Sequence, residues 1–158
     1  VKEIYQNDNA SGNAWFVKEN IKVLNDDQEI KRLDSLNFRD VSVSQSFLNK
    51  TYQNTNSSVV LLEKSSDYIS YNVSTDNLSL IIFSEIFYPK GWKSYINGKQ
   101  VTNHRFNYTL RGLEVPSGNH KIEFIFDPNI VKLSSRISLF GSLGFVLLVF
   151  ILVLRRKN

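Results

Sequence analysis

The chain has 158 residues, enough for one globular domain with a sizeable core. Its formal charge of +4 sits mostly at the C-terminus, where Arg155, Arg156 and Lys157 leave +1 for everything before them. So neutral a body excludes a nucleic-acid surface, which needs clustered cations to displace counterions from phosphate. The absence of cysteine excludes disulfides, thiolate metal sites and Cys nucleophiles together.

There is no methionine, and the chain starts at Val1, so it reads as a processed chain or a piece of a longer protein. Residues 1–13 are polar and carry no signal-peptide core. Residues 13–24 separate bulky apolar groups by polar ones and predict one or two strands, with Trp15 as sheet packing rather than a binding platform. Asn25 followed by Gln28 is an N-cap with its capping-box partner. Ile30, Leu33 and Leu36 then recur at helical spacing, so 28–37 predicts a short amphipathic helix whose apolar stripe lies on a sheet. Val41 and Val43 alternate in a strand over 39–46. Residues 48–57 are rich in Asn, Thr and Ser and predict an exposed loop. Five glycosylation sequons begin at Asn49, Asn56, Asn72, Asn77 and Asn107, but such matches arise by chance at this composition.

Residues 59–64 and 68–74 predict strands, the second with Ile69, Tyr71 and Val73 inward. In 78–88 both parities are apolar: Leu80, Ile82 and Ile86 on one face, Ile81, Phe83 and Phe87 on the other. That predicts a central strand covered on both faces. Tyr88-Pro89 ends it. Asn97-Gly98, between 92–96 and 99–102, predicts a two-residue type I′ hairpin. Residues 107–115 are extended, with a parity change around Gly112 that predicts a β-bulge there. After a turn at 116–119, a last strand over 120–126 places Ile122, Phe124 and Phe126 on one side.

Residues 137–154, ISLFGSLGFVLLVFILVL, carry no charge between Arg136 and Arg155. A helix of that length is about 27 Å long and predicts a transmembrane span. Gly141, Gly144, Ser138 and Ser142 would let another helix approach closely. The cations of 155–158 place that tail in the cytoplasm and the β domain outside.

The chemistry is sparse. No P-loop, zinc helix or Gly-x-Ser-x-Gly elbow is present, and His104 and His120 lack partners at metal-ligand spacing. Glu85, a carboxylate inside an apolar strand, needs an ion-pair partner in Arg105 or Arg111. Tyr88, Trp92, Tyr95 and Tyr108 can form a sugar-stacking surface, with Arg105 and Arg111 holding phosphate or carboxylate; packing is the competing reading of the same aromatics.

The runs GNAWFV at 12–17, FSEIFYPKGWKSYINGK at 83–99, NYTLRGL at 107–113 and VPSGNHKIEF at 115–124 resemble the C-terminal region of the bacterial YfhO family. The resemblance implies a polytopic membrane protein similar to GT-C glycosyltransferases, which use polyprenyl-phosphate-linked sugars to decorate cell-envelope polymers. The family's presumed catalytic acids lie in loops well upstream, so no carboxylate here inherits that role.

The expectation is therefore mainly β. An antiparallel β-sandwich of jelly-roll or immunoglobulin-like type, with one short amphipathic helix, occupies 1–130 outside the plasma (inner) membrane. A transmembrane helix over 137–154 and a cytoplasmic tail at 155–158 follow. The chain itself is read as non-catalytic and needs no cofactor or metal. Its expected partners are the lipid bilayer, the remainder of its own membrane domain, and a lipid-linked sugar or envelope glycan, with no nucleic acid. The alternatives are a tail-anchored surface adhesion or carbohydrate-binding domain and a purely structural interaction domain.

Overall fold

A computed structural model of the chain describes residues 10–128, 138–145 and 155. It divides into two units, Val1–Phe126 and Asp127–Asn158.

The first unit is mainly β. Its strands in chain order are β1 (Ala14–Val17), β2 (Glu19–Lys22), β3 (Val41–Ser44), β4 (Lys50–Thr51), β5 (Ser58–Lys64), β6 (Tyr68–Thr75), β7 (Ser79–Ile86), β8 (Trp92–Ile96), β9 (Lys99–Val101), β10 (His104–Phe106), β11 (Leu110–Val115) and β12 (Gly118–Phe126). One helix, α1 (Asp26–Leu33), lies between β2 and β3. An antiparallel sheet of order β1-β7-β11-β10 faces a second of order β5-β6-β12-β8-β9. Ile69, Tyr71 and Val73 of β6 and Ile122 and Phe124 of β12 meet Ile81, Phe83, Leu113 and Val115 of the other sheet in one core cluster. The rings of Phe83 and Phe124 meet edge-to-face at 4.8 Å. A small sheet, β3-β2-β4, includes a parallel pair, β2 with β3, that the sequence did not announce.

Residues 80–83 of β7 are buried on both faces, as their composition demands. Ile81 and Phe83 enter the core between the sheets. Leu80 and Ile82 join Val17, Tyr52 and Phe106 in a second cluster on the other side. Ile86 departs from the expectation and is exposed. Leu110 pairs with Ile86 but Arg111 pairs with Phe83, so β7 carries two extra residues, Ser84 and Glu85, that turn its end out of register.

That irregularity also corrects the bulge expected at Gly112, which sits in regular pairing with Ile82. Both parities of β11 are apolar because both its faces are covered, Leu113 and Val115 on one side and Leu110 on the other. Gly112 answers a different need. A Cβ there would lie 2.6 Å from Phe106 Cδ2 and 2.9 Å from the backbone oxygen of Ile81.

The Asn97-Gly98 hairpin forms as predicted, with φ of 51° and 77° and Ile96 opposite Lys99. Residues 13–24 resolve into two strands, and Trp15 is packing, its indole N–H donating to the Phe38 carbonyl at 2.9 Å. Asn25 caps α1, accepting from the Gln28 N–H at 3.0 Å, while Gln28 Oε1 accepts from the Leu24 N–H. The apolar stripe of the helix is not what it buries. Ile30 is exposed, and the buried residue of α1 is Glu29. Likewise, the extended segment expected from residue 107 begins only at Leu110. Asn107 and Tyr108 form a turn with φ of 48° and 69° that joins β11 to β10, a strand not foreseen. Tyr52, expected in an exposed loop, is buried.

In the second unit, residues 138–145 are helical, with Leu139, Phe140, Leu143 and Phe145 exposed. Among the described residues no helix is long and apolar enough to cross a membrane. Most of the predicted span, residues 137 and 146–154, lies outside the described residues.

Candidate functional site

A cleft of about 580 Å³ opens where β8 meets β9 and β10, the edge strands of the two sheets. Strand alternation aims Trp92 and Ser94 of β8 toward the interior and Tyr95 outward, and Lys93 also contributes to the lining. The hairpin then returns Gln100 and Val101, and the link to β10 adds Thr102 and Asn103. His104 and Arg105 follow on β10, and Gln45 and Ser46 close the side beyond β3. The lining is aromatic, amide and hydroxyl, with three basic residues and no carboxylate. Asn103 is held by its amide, which donates to Ser94 Oγ at 2.7 Å. His104 lies 5.0 Å from the Phe47 ring, and burial pushes its imidazole below the usual range.

Arg105 does not pair with Glu85. Its guanidinium donates to Asp26 Oδ1 at 2.7 Å and to Glu29 Oε2 at 3.2 Å. That contact, followed by the hydrogen bond from Gln45, holds the Asp26 carboxyl below its usual range, and the same bond raises Arg105. The Arg105 charge at the cleft is thus already answered from α1.

Glu85 is instead paired with Lys64 at 2.5 Å, with Arg111 Nη2 at 4.0 Å. Arg111 is fully buried, and its Nε and Nη1 make no hydrogen bond. Its guanidinium lies between two rings, 4.7 Å from the centroids of Trp92 and Phe124. Burial lowers its pKa against the pull of Glu85, and burial likewise raises the Tyr71 hydroxyl to about 12.

The six sequence-predicted residues therefore do not form one surface. Trp92 and Arg105 line the cleft. Arg111 lies beneath Trp92 and does not reach the cleft lining. Tyr108 flanks Arg105, 5.4 Å from ring to guanidinium, and Tyr88 lies over Gly91 beside Phe126. Tyr95 stands on the opposite face of β8. Asn103, Gln100 and Gln45 escaped the sequence reading; only their closeness to the Asn-Gly hairpin and to β3 hinted at them. Among the described residues no group of His, Asp and Glu could hold a metal ion. The sequon residues Asn49 and Asn107 spend their side-chain oxygens on the backbone N–H groups of Lys22 and Val43.

A family described as "Bacterial membrane protein YfhO" matches residues 17–138. The "Uncharacterized protein YfhO" of Bacillus subtilis (strain 168) is 33% identical over 89 residues, which cover 56% of this chain and 9% of that protein. No solved structure matches. With most of the sandwich and both strands of the Asn97-Gly98 hairpin inside the matched region, the chain belongs to the YfhO family of bacterial membrane proteins.

Proposed function

We propose that this chain is the extracytoplasmic β-domain and final membrane segment of a polytopic YfhO protein, and that it holds carbohydrate for a glycosyl transfer performed by other parts of that protein. The reading combines an immunoglobulin-like or jelly-roll sandwich with a span over 137–154 and a cytoplasmic tail carrying Arg155, Arg156 and Lys157. The transfer would use a polyprenyl-phosphate-linked sugar and modify a cell-envelope polymer, as the family likeness implies. Its partners are the bilayer, the remainder of its own membrane domain, and the lipid-linked sugar or envelope glycan.

The observation that carries the binding role is the make-up of the cleft. Trp92 stands beside Gln45, Gln100, Asn103, Ser46 and Ser94, and no carboxylate is present. Sugar C–H faces stack on aromatic rings, and hydroxyls exchange hydrogen bonds with amides. Such a lining suits the holding of a sugar.

The test compares Trp92→Ala and Asn103→Ala in the full-length protein, reading glycan retention by the purified protein and sugar content of the envelope polymer. Loss of both at unchanged protein level supports the reading; unchanged retention and decoration sink it. One observation favours a structural role instead, because Trp92 already packs on Arg111 and, at 5.3 Å, on Phe126.

A further inference from the structure

The two ends of the sandwich differ in kind. One end carries the turns at Asp76-Asn77, Asn97-Gly98 and Pro116-Ser117, all exposed and mostly polar, with Leu78 the one large apolar group exposed among them. Pairing of Thr75 with Gly118 and of Ser79 with Val115 brings two of these turns to the same edge. At the other end Leu110 pairs with Ile86, Phe126 pairs with Trp92, and residues 87–91 link the two sheets. That end exposes four large side chains, Ile86 at 70% where β7 closes, Tyr88 at 46% in the link, Phe126 at 38% where β12 closes and Tyr108 at 37% in the 107–109 turn, beside the polar turn Ser65-Ser66-Asp67. Tyr88 and Phe126 share one spot, since a Cβ on Gly91 would lie 2.6 Å from the first and 2.4 Å from the second. Lys90 forms the exposed tip of the same corner.

Phe126 is also where the chain leaves the sandwich. Ten residues, 127–136, separate it from the uncharged stretch 137–154. Fully extended they reach about 35 Å, the upper bound on the tether between Phe126 and that stretch. Tyrosines, a lysine and exposed apolar groups gathered in one place are the composition of a membrane interface, where one end of each side chain is dry and the other wet.

We propose that the end formed by Ile86, Tyr88, Tyr108 and Phe126 rests on the headgroup region of a lipid bilayer. The polar turns then point away from the membrane, and the mouth of the Trp92 cleft, beside Phe87 and Pro89, is held near the lipid surface. The proposal rests on reading 137–154 as a membrane span, and its test separates the two.

This chain has no cysteine, so a single one can carry a probe once any in the longer protein are replaced by serine. Lys90→Cys at the aromatic end and Asn119→Cys at the polar end, both exposed, are labelled with a nitrobenzoxadiazole fluorophore. The full-length protein is reconstituted into phosphatidylethanolamine–phosphatidylglycerol vesicles containing lipid spin-labelled at the headgroup. The label at 90 should be quenched at least about threefold more than the label at 119, and Ile86→Ser should reduce that difference. Equal quenching at both positions overturns the proposal. So does a label at 90 shielded from water-soluble quencher yet unquenched by the spin-labelled lipid, which would mean that protein covers this end. In the same vesicles, labelling of Asn158→Cys and Asn119→Cys by a membrane-impermeant maleimide reads opposite sides of the bilayer if 137–154 spans and the same side if it does not, so a failed span is distinguished from a failed docking surface.

Discussion

The buried carboxylate of Glu29 accepts the backbone N–H of Tyr108 at 2.8 Å, across 79 residues of sequence. Its other oxygen accepts from Gln45 at 3.0 Å and Arg105 at 3.2 Å. Helix α1 is thereby clasped to the β10–β11 turn by charge-assisted hydrogen bonds rather than by its apolar stripe. Glu29→Gln keeps the shape but removes the charge, and should cost about 1.5–3 kcal/mol. Urea unfolding of the chain in detergent, followed by Trp fluorescence, measures it; a loss below 0.5 kcal/mol, roughly the level of an exposed pair, would mean the clasp is idle.

The same clasp holds Tyr108 at a φ of 69°, a left-handed conformation that costs a bulky residue about 1 kcal/mol and glycine nothing. Tyr108→Gly should therefore be more stable than Tyr108→Ala, the reverse of what an exposed strand position would give. Parallel melts of the two variants decide it.

How far these relationships could be read in advance depended on their range. The Asn25–Gln28 cap, the Asn97-Gly98 turn and the alternation of Ile69, Tyr71 and Val73 are local, and each was legible because its cause lies within a few residues. Glu29 was not, because on a helical wheel it falls among charges and its partners are Gln45, Arg105 and the N–H of Tyr108. Gly112 points to a bulge at its own position because glycine is a local signal, whereas the irregularity originates in the slip between β7 and β11 at Ser84-Glu85. The cleft was half visible for the same reason. Trp92 stands out in the sequence, but Asn103 and Gln45 join it in one lining only when β8, β9, β10 and the residues after β3 converge.

Two glycines separate steric from conformational need. Gly112→Ala would press on the Ile81 backbone oxygen inside a sheet, which cannot give way, and should cost about 2–3 kcal/mol. Gly98→Ala meets nothing within 4 Å but sits at a φ of 77°, and should cost about 1 kcal/mol. Equal losses in the same urea titration would contradict the assignment of two different causes.

His104 sets an acid limit. Burial depresses its folded pKa, so between that value and the unfolded value near 6.5 the unfolded chain binds more protons. Its contribution is complete above about pH 6.5 and is lost as pH falls through the folded pKa. Asp26 and Glu123, also depressed, act in a separate window beginning near pH 4 and extending lower. His104→Gln should flatten the pH dependence of stability just below about pH 6.5 while leaving the carboxylate limb in place. An unchanged slope there would remove His104 from the account.

Arg111 offers the sharpest contrast. Its guanidinium fills the space between Trp92 and Phe124, yet two of its nitrogens lack partners and its nearest carboxylate oxygen is 4.0 Å away. Glu85 is not left alone when Arg111 goes, because Lys64 stays on it at 2.5 Å. Arg111→Met, which keeps the volume and drops the desolvated charge, should lie within about 1 kcal/mol of the wild type or exceed it. Arg111→Ala should lose about 2–5 kcal/mol through the cavity beneath the indole, and should shift the Trp92 emission as the ring loses its support. If methionine proves as damaging as alanine, then the charge itself is needed under Trp92, and stacking alone does not explain why an arginine lies in this core.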